Sequence, residues 1–308
     1  MIGAAYATYG LIALKTGQVR WLDVPSVEGR VTSTFVNHNS FAAYAGIALI
    51  ATAALLVGLY QGHAIAGGSW RLRLAAVIEI SGGPAALLIA CAFIILAALL
   101  MTGSRGGILA TGAGLVTLSG LVLLRRRAPG RGRPLSGIAI VGSVGAVALL
   151  CFGSLLLNNL GERGLSDSNR LAVYVLTLRS ILDAPFFGFG YGTFSNVFPL
   201  YRDRSISVAG VWGQAHDSYL EVLQGLGLPV GTMLIAVFVL LALRCLRGAI
   251  HRQENATAPQ VAAGVICLVG VHSLADFSVQ MQAVALTFMA VLGAGVAQAT
   301  SSRVEIGD

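Results

Sequence analysis

Long apolar segments are the feature that most limits how this chain can fold. A helix needs about 20 residues to cross a hydrocarbon core of about 30 Å, and about eight segments approach or reach that length. Charged residues make up only 11% of the 308 residues, against about 25% in soluble domains. So few charges cannot cover a water-soluble surface, which excludes a soluble enzyme, a disordered regulator and a nucleic-acid-binding module. We therefore predict an all-α, polytopic transmembrane bundle of about eight spans.

The predicted spans leave one long connection between them. They are roughly Met1–Leu14, Phe41–Tyr60, Pro84–Thr102, Gly106–Leu124, Leu135–Leu157, Leu220–Leu243, Val261–Phe277 and Ala283–Gln298. The last two are separated only by Ser278–Gln282, which predicts a tight hairpin. Three regions follow: N-terminal transmembrane helices over 1–157, a long outer loop over 158–219, and C-terminal transmembrane helices with a tail over 220–308.

The arginines predict the orientation of these spans. Five of them lie close together after the fourth span: Arg125, Arg126, Arg127, Arg131 and Arg133. Because cytoplasmic loops carry an excess of Lys and Arg, this linker and both chain ends are predicted to be cytoplasmic. The net charge of +7 is then mainly a topological signal, and we expect no nucleic-acid partner.

No metal or cofactor signature is present in the sequence. The four cysteines lie in or beside apolar runs without metal-binding spacing, as buried small hydrophobes do. There is no HExxH motif and no carboxylate cluster in the predicted outer segments. We therefore expect neither a metal nor a cofactor.

The long outer loop contains one clear helical pattern. Asp167 or Ser168 can cap a helix that runs to about Asp183 and stops before Pro185. Five side chains in it follow 3–4 spacing: Leu171, Tyr174, Val175, Leu178 and Leu182. The pattern predicts an amphipathic helix on the outer membrane surface or on the tops of the spans.

Two outer arginines are candidates for binding an anion. Arg105 lies in the turn between the third and fourth spans, where the glycines alone would suffice for turning. Arg170 lies in the first turn of the loop helix, whose N-terminus already attracts anions. A guanidinium can hold a phosphate through two hydrogen bonds. The alternatives are contacts of Arg105 with lipid headgroups and solvated positions for Arg170 and Arg179.

His216 is the candidate proton acceptor, just before the sixth span. A neutral imidazole at a membrane boundary can take a proton from an acceptor hydroxyl. Asp217 and Glu221 are close enough in sequence to influence it. The start of a span is also an expensive place for an acid without a partner. Stabilising the positive end of the helix is the alternative role for both acids.

Two weaker polar groups remain. His272 and Asp276 are four residues apart, so we expect them on one face of the seventh span. They form either a functional intramembrane pair or a structural pair that locks the terminal hairpin. Asn37, His38 and Asn39 precede the second span, a common place for helix caps.

Several motifs together resemble the O-antigen ligase/polymerase superfamily. They follow the family's order along the chain: Gly29–Ala42, Thr102–Gly107, Asn169–Tyr174, Asp183–Gly190, His216–Leu220, Gly225–Leu228 and His272–Phe277. Tyr174 stands where Trp is common, Asp217 where Asn is common, and Gln224–Gly225 where a Glu is common. Members usually have more spans, so the resemblance also implies that the first few are missing here.

The resemblance implies a metal-independent, inverting glycan transferase in the bacterial inner membrane, with its active face in the periplasm. The donor would be a glycan linked to undecaprenyl diphosphate, surrounded by membrane lipids. The acceptor would be a hydroxyl of lipid A-core, of another glycan or of a protein. Arg105 and Arg170 would bind the diphosphate, and His216 would be the general base or would position the acceptor. The substrate-binding candidates are Asn37, Asn39, Tyr219, Glu221 and Arg179.

Three other functions stay open at this point. A polymerase of the same superfamily would use the same residues on a different acceptor. A small-anion, bicarbonate-like transporter would depend more on His272 and Asp276, because transporter sites lie near the bilayer midplane. A catalytically silent partner in a polysaccharide export complex is the third.

Overall fold

The structure, a computed structural model, describes residues 1–19, 24–25, 29–35, 37–62, 70–83, 85–125, 168–206, 212–252 and 256–300. These residues are almost entirely helical. The helices are α1 (Ile2–Thr16), α2 (His38–Gly62), α3 (Trp70–Gly82), α4 (Ala86–Met101), α5 (Arg105–Leu124), α6 (Ser168–Asp183), α7 (Phe194–Tyr201), α8 (Ser218–His251), α9 (Thr257–His272) and α10 (Gln282–Ala297). Short 3-10 turns occupy Ser33–Phe35 and Ser278–Gln280, and Gln18–Val19 pairs antiparallel with Val24–Pro25.

The predicted helical class is confirmed, and apolar helices occupy the predicted spans that fall within the described residues. Among those residues, three helical segments are long and apolar enough to cross a membrane: His38–Gln61, Arg105–Leu124 and Ser218–His251. Shorter apolar helices are Ala86–Met101, Thr257–His272 and Gln282–Ala297. The predicted span Leu135–Leu157 and the arginines at 126–133 lie outside the described residues, so the number of spans stays a prediction.

Helix α3 lies in the connection between the second and third predicted spans. The sequence pattern hides it, because Arg71, Arg73 and Glu79 interrupt its apolar residues. The Tyr60 hydroxyl and Ser81 Oγ are 2.6 Å apart and share a hydrogen bond that ties α3 to the end of α2. The connection after the second predicted span is therefore partly helical.

Helices α2, α5 and α9 pack closely because glycines face one another at their contacts. A Cβ atom on Gly46 would lie 2.6 Å from Leu268 Cδ1, and one on Gly114 would lie 2.6 Å from the carbonyl oxygen of Gly264. Small residues allow such close approach of membrane helices. This packing brings the start of α2, the start of α5 and the end of α9 to one end of the bundle.

The opposite end of the bundle carries other arginines. Arg125 Nη2 donates to the carbonyl oxygen of Arg252 at 2.5 Å, and Arg252 Nη1 donates to that of Thr300 at 3.0 Å. These contacts gather the ends of α5 and α8, whereas Arg105 and Ser218 begin the same helices. The two groups of residues therefore lie at opposite ends, and the side of the membrane that each faces stays a prediction.

The loop helix forms over Ser168–Asp183 as predicted, and Asp167 lies outside the described residues. Its inward face joins a small core of its own: Val173, Leu176, Phe194, Phe198, Ile206 and Ala215. Four members of the predicted apolar stripe are instead exposed: Leu171, Val175, Leu178 and Leu182. The stripe identified from the sequence is thus not the face that packs against the protein.

A glycine-rich turn fixes α6 against a kink in α8. Gly227 has φ 74° and ψ 168° and interrupts α8, and Leu228 N donates to the carbonyl oxygen of Pro185 at 2.7 Å. Gly188 also has a positive φ, and a Cβ atom there would lie 2.5 Å from Gly227 N. A side chain at position 188 does not fit, which explains the glycine. The contact sets the position of α6 relative to the start of α8.

Candidate functional site

A polar cavity lies at the end of the bundle where α2 and α5 begin. Its volume is about 130 Å³. Its lining is Arg30, His38, Asn39, Gly103, Ser104, Arg105, Gly106 and Arg170. The structure thus brings together Arg105, Arg170 and Asn39, which the sequence analysis selected, with Arg30 and His38, which it did not select.

Arg105 reaches the cavity because of the turn before it. Ser104 caps α5, since its Oγ accepts from Gly107 N at 3.2 Å, and Thr102 Oγ1 accepts from Ser104 N at 3.1 Å. A Cβ atom on Gly107 would lie 2.5 Å from Ala42 Cβ, so glycine lets α5 start against α2. The TGSRGG sequence therefore builds a compact cap that presents Arg105 as the first helical residue.

Arg170 and Tyr174 connect α6 to the loop that follows α9. Arg170 Nη1 donates to the carbonyl oxygen of Ala275 at 2.7 Å. The Tyr174 hydroxyl donates to the carbonyl oxygen of His216 at 3.0 Å. The polar start of α6 is therefore held directly beside His216. The hydrogen bond from the Tyr174 hydroxyl explains why an aromatic residue with a polar end suits this position.

His216 has a left-handed backbone conformation and a confined ring. Its φ is +56°, in a region that residues other than glycine rarely adopt, with Asn, Asp and His as the commonest exceptions. The ring meets Trp212 and Phe277 edge to face, with centroids at 5.7 Å and 5.2 Å. A quarter of the side chain remains exposed. The ring is thus held in one place while part of it stays accessible.

The backbone after His216 is fixed to the loop after α9. Ser218 N donates to the carbonyl oxygen of Ser273 at 2.8 Å, and Ser218 Oγ donates to that of Asp276 at 2.9 Å. Asp217 caps α8, because its Oδ1 accepts from the backbone N–H groups of Tyr219 and Leu220 at 2.9 Å and 3.0 Å. These hydrogen bonds hold the backbone that follows His216 in one conformation and so maintain the positive φ of His216.

Asp276 is the residue that the sequence analysis placed wrongly. Helix α9 ends at His272, so Asp276 lies in the following loop and does not share a helix face with His272. Its side chain is 2% exposed, and its Oδ2 lies 3.9 Å from Nδ1 of His216. Asn39 Nδ2 donates to the same oxygen, and Phe277 N donates to Oδ1 at 2.7 Å.

The charge of Asp276 is stabilised by these neighbours. Burial alone would raise the pKa of its carboxyl group, but the rings of His216 and His272 and the N–H of Phe277 outweigh burial and lower it. The carboxylate is therefore ionised at neutral pH and faces the His216 ring. Because α9 ends at His272, the predicted seventh span, which extended to Phe277, is too long.

Asn37, His38 and Asn39 make three different contacts, of which the one between Asn39 and Asp276 is described above. Asn37 caps α2, since its Oδ1 accepts from Asn39 N at 2.8 Å and from Ser40 N at 3.3 Å. His38 Nε2 lies 2.8 Å from Nη1 of Arg30. A guanidinium can only donate, so His38 accepts at Nε2 and carries its proton on Nδ1. That buried Nδ1 has no hydrogen-bond partner among the described residues.

The other predicted substrate-binding residues lie outside the cavity lining. Glu221 is buried, and its Oε2 accepts from Ala215 N at 3.1 Å, which tethers the segment before His216. The Tyr219 hydroxyl donates to the carbonyl oxygen of Gly270 at 3.0 Å. Arg179 is exposed and pairs with Asp203 at 3.5 Å. Their roles toward substrate stay predictions, and the structure gives each a protein partner.

Sequence reasoning missed Arg30, His38 and the partnership of Asp276 with His216. Arg30 follows Gly29 within the quoted Gly29–Ala42 motif, so its signal was present but was not taken as a site residue. Asn39 and Asp276 are far apart in the chain, and only the packing of α2 against α9 reveals their contact. Pairings of this kind carry no local sequence pattern.

The fold and the site together define an apolar helical membrane protein with a cationic polar cavity beside a histidine that faces a buried acid. The O-antigen ligase family matches residues 90–236, a stretch that includes Arg105, Arg170 and His216. This segment is therefore similar to the O-antigen ligase family, as the motifs indicated. Nothing among curated proteins matches the chain.

Proposed function

We propose that this protein transfers a glycan from an undecaprenyl-diphosphate carrier to an acceptor hydroxyl on the periplasmic side of the bacterial inner membrane. The family match indicates membrane glycan biosynthesis of the ligase or polymerase kind. The observation that carries the finer proposal is the cavity lined by Arg30, Arg105 and Arg170. Asn39, which also lines it, is bonded to the partner of His216.

The arginines of the cavity suit a diphosphate. Guanidinium groups hold phosphate oxygens through paired, charge-assisted hydrogen bonds. Arg105 is the first residue of α5 and Arg170 lies in the first turn of α6, so two helix N-termini add positive potential. In this proposal the positive charge that the leaving group needs comes from the protein and not from a metal.

In the proposed reaction His216 is the general base. Asp276 faces Nδ1, which favours a proton on that nitrogen and leaves Nε2 as the acceptor. Nε2 takes the proton of the acceptor hydroxyl as its oxygen attacks the anomeric carbon. The bond from that carbon to the carrier phosphate breaks on the opposite face, which inverts the configuration. Its electron pair leaves with the diphosphate, whose charge the arginines stabilise.

The nature of the acceptor separates ligase from polymerase. We propose the ligase function, with lipid A-core, a glycan or a protein as acceptor, and keep the polymerase as the second candidate within the superfamily. The transporter alternative depends more on His272 and Asp276. The contacts of Asp276 with His216 and Asn39, beyond the end of α9, support the transferase proposal over it.

Deletion of the gene tests the proposal through the glycan that accumulates. For a ligase, attached glycan disappears and full-length polymer remains on the carrier. For a polymerase, attached glycan shortens to single repeats. Attached glycan of unchanged amount and length in the deletion strain would refute both versions.

A further inference from the structure

Helix α6 has two apolar faces, and only one of them is packed against the protein. Val173, Leu176 and Ile181 are buried and point inward. On the other side, four exposed apolar residues occur at positions i, i+4, i+7 and i+11: Leu171, Val175, Leu178 and Leu182. This spacing places them along one stripe of the helix.

The exposed stripe continues into the turn after α6. Phe186 is 70% exposed and Phe187 is 92% exposed. The same turn is hydrogen-bonded to α8 at its kink, through Leu228 N and the carbonyl oxygen of Pro185. Two exposed phenylalanines therefore lie directly beside the kink of α8.

That point lies at the beginning of the apolar stretch of α8, a helix long and apolar enough to cross a membrane. From Leu228 to Leu243 this stretch has about 16 residues, which span about 24 Å at 1.5 Å each, and Arg244 and Arg247 follow it. Several side chains early in this part are apolar and exposed: Leu228, Val230, Met233 and Leu234. Exposed apolar residues on a span face lipid. The exposed turn is continuous with this lipid-facing surface.

We propose that α6 and its turn lie within the interfacial layer of the membrane, on the bundle end that carries the cavity. The contact surface is the interfacial patch, consisting of Leu171, Val175, Leu178, Leu182, Phe186 and Phe187. Its partner is the lipid of the surrounding leaflet. Amphipathic helices bury such Leu and Phe faces a few ångströms into the boundary between headgroups and acyl chains. The continuity with α8 favours lipid over a protein partner.

Arg170 connects the interfacial patch to the cavity. Arg170 lies in the first turn of α6 and lines the cavity. Immersion of the interfacial patch would hold the cavity at the depth of phosphate headgroups, where the diphosphate of a lipid-linked donor also lies. This consequence rests on the proposed function, whereas the membrane contact itself does not.

Spin labels on single cysteines test the membrane contact directly. The full-length protein, with Cys91, Cys151, Cys245 and Cys267 replaced by serine, is placed in nanodiscs of phosphatidylethanolamine and phosphatidylglycerol. Labels replace Leu182 or Phe187 in the patch. Ser195, exposed on α7, is the matched polar control, and Val239, exposed on α8, is the lipid reference. Collision rates are measured with oxygen, which favours lipid, and with a water-soluble nickel chelate.

Lipid contact predicts that labels at positions 182 and 187 collide with oxygen several-fold more than with the nickel chelate, as at position 239. The label at 195 should show the reverse. A water-like result at 182 and 187 would overturn the proposal. So would protection from both reagents, which indicates a protein partner or a second copy. The measurement needs no glycan transfer, so its outcome is separate from that of the proposed function.

Discussion

Nδ1 of His216 lies 3.9 Å from Oδ2 of Asp276, across a contact between the start of α8 and the loop after α9. The same carboxylate oxygen accepts from Asn39 at the start of α2. One buried acid therefore joins the cavity that contains the arginines to the ring proposed as the base. The histidine gains a fixed orientation and a nearby negative charge, which are what a general base needs.

Removal of the Asp276 charge is expected to slow transfer without unfolding the protein. Asp276→Asn keeps the size of the side chain but removes the negative charge that faces the His216 ring. The rate of glycan transfer should fall on the order of 100-fold, whereas the affinity for undecaprenyl diphosphate, which the arginines provide, should stay unchanged. Steady-state transfer and calorimetric titration with purified protein measure the two effects.

The control for this substitution is Glu79→Gln, which removes an exposed acid on α3, outside the cavity lining. Its transfer rate should match that of the unmodified protein. A normal rate in Asp276→Asn would contradict the role of the acid, and loss of carrier affinity together with rate would argue for a purely structural role.

Asp276 also predicts how stability depends on pH. Its pKa is lowered on folding, so its contribution is fully present above the ordinary value of 3.8. It is lost as the pH falls through the lower folded-state pKa. The difference in Tm between the unmodified protein and Asp276→Asn should therefore be largest near neutral pH and shrink below about pH 4. A difference that stays constant down to pH 3 would contradict this assignment.

The arginines are expected to act through paired hydrogen bonds rather than through charge alone. Arg105→Lys and Arg170→Lys keep the charge and lose the planar fork. Each should weaken binding of undecaprenyl diphosphate by about 10-fold to 100-fold, from a loss of about 1.5–3 kcal/mol per hydrogen bond to a charged group. Calorimetric titration in detergent measures the affinity. Arg247→Lys, exposed near the other end of α8, is the control and should leave affinity unchanged; equal affinity in all three variants would refute the diphosphate site.

The contact between α6 and the α8 kink should depend on glycine at position 188. Gly188→Ala places a Cβ atom 2.5 Å from Gly227 N at a φ of +63°, and should lower the free energy of unfolding by about 2–4 kcal/mol. Gly192→Ala has a φ of +82° with open space around it, so it should cost about 1 kcal/mol. Gly58→Ala meets nothing within 4 Å and should not destabilise. Thermal unfolding ranks the three, and equal values for positions 188 and 192 would refute the close contact.

The sequence was sufficient for the helices and for single residues at their ends. Apolar runs and caps are local properties, so α2, α5, α6 and α8 fall where the patterns place them. The caps by Asn37 and Asp217 follow from the same local rules. Arg105 could be selected because it is unnecessary for its turn, and the structure places it in the cavity.

The sequence was insufficient wherever the chain turns back on itself. The four-residue spacing of His272 and Asp276 indicated one helix face, but α9 stops at His272 and Asp276 turns toward His216. The stripe of α6 was identified correctly as apolar, but a second apolar face competes with it and is the one that packs. Periodicity finds an apolar face and does not say whether lipid or protein covers it.

The central claim, that His216 is the base of a glycan transfer, is tested most directly by His216→Asn. Asparagine tolerates the positive φ of this position better than most residues and cannot accept the proton. We predict that the variant reaches the membrane in normal amount, that attached glycan falls at least about 100-fold, and that carrier-linked glycan accumulates. Attached glycan at the normal level in cells that contain only this variant would contradict the account.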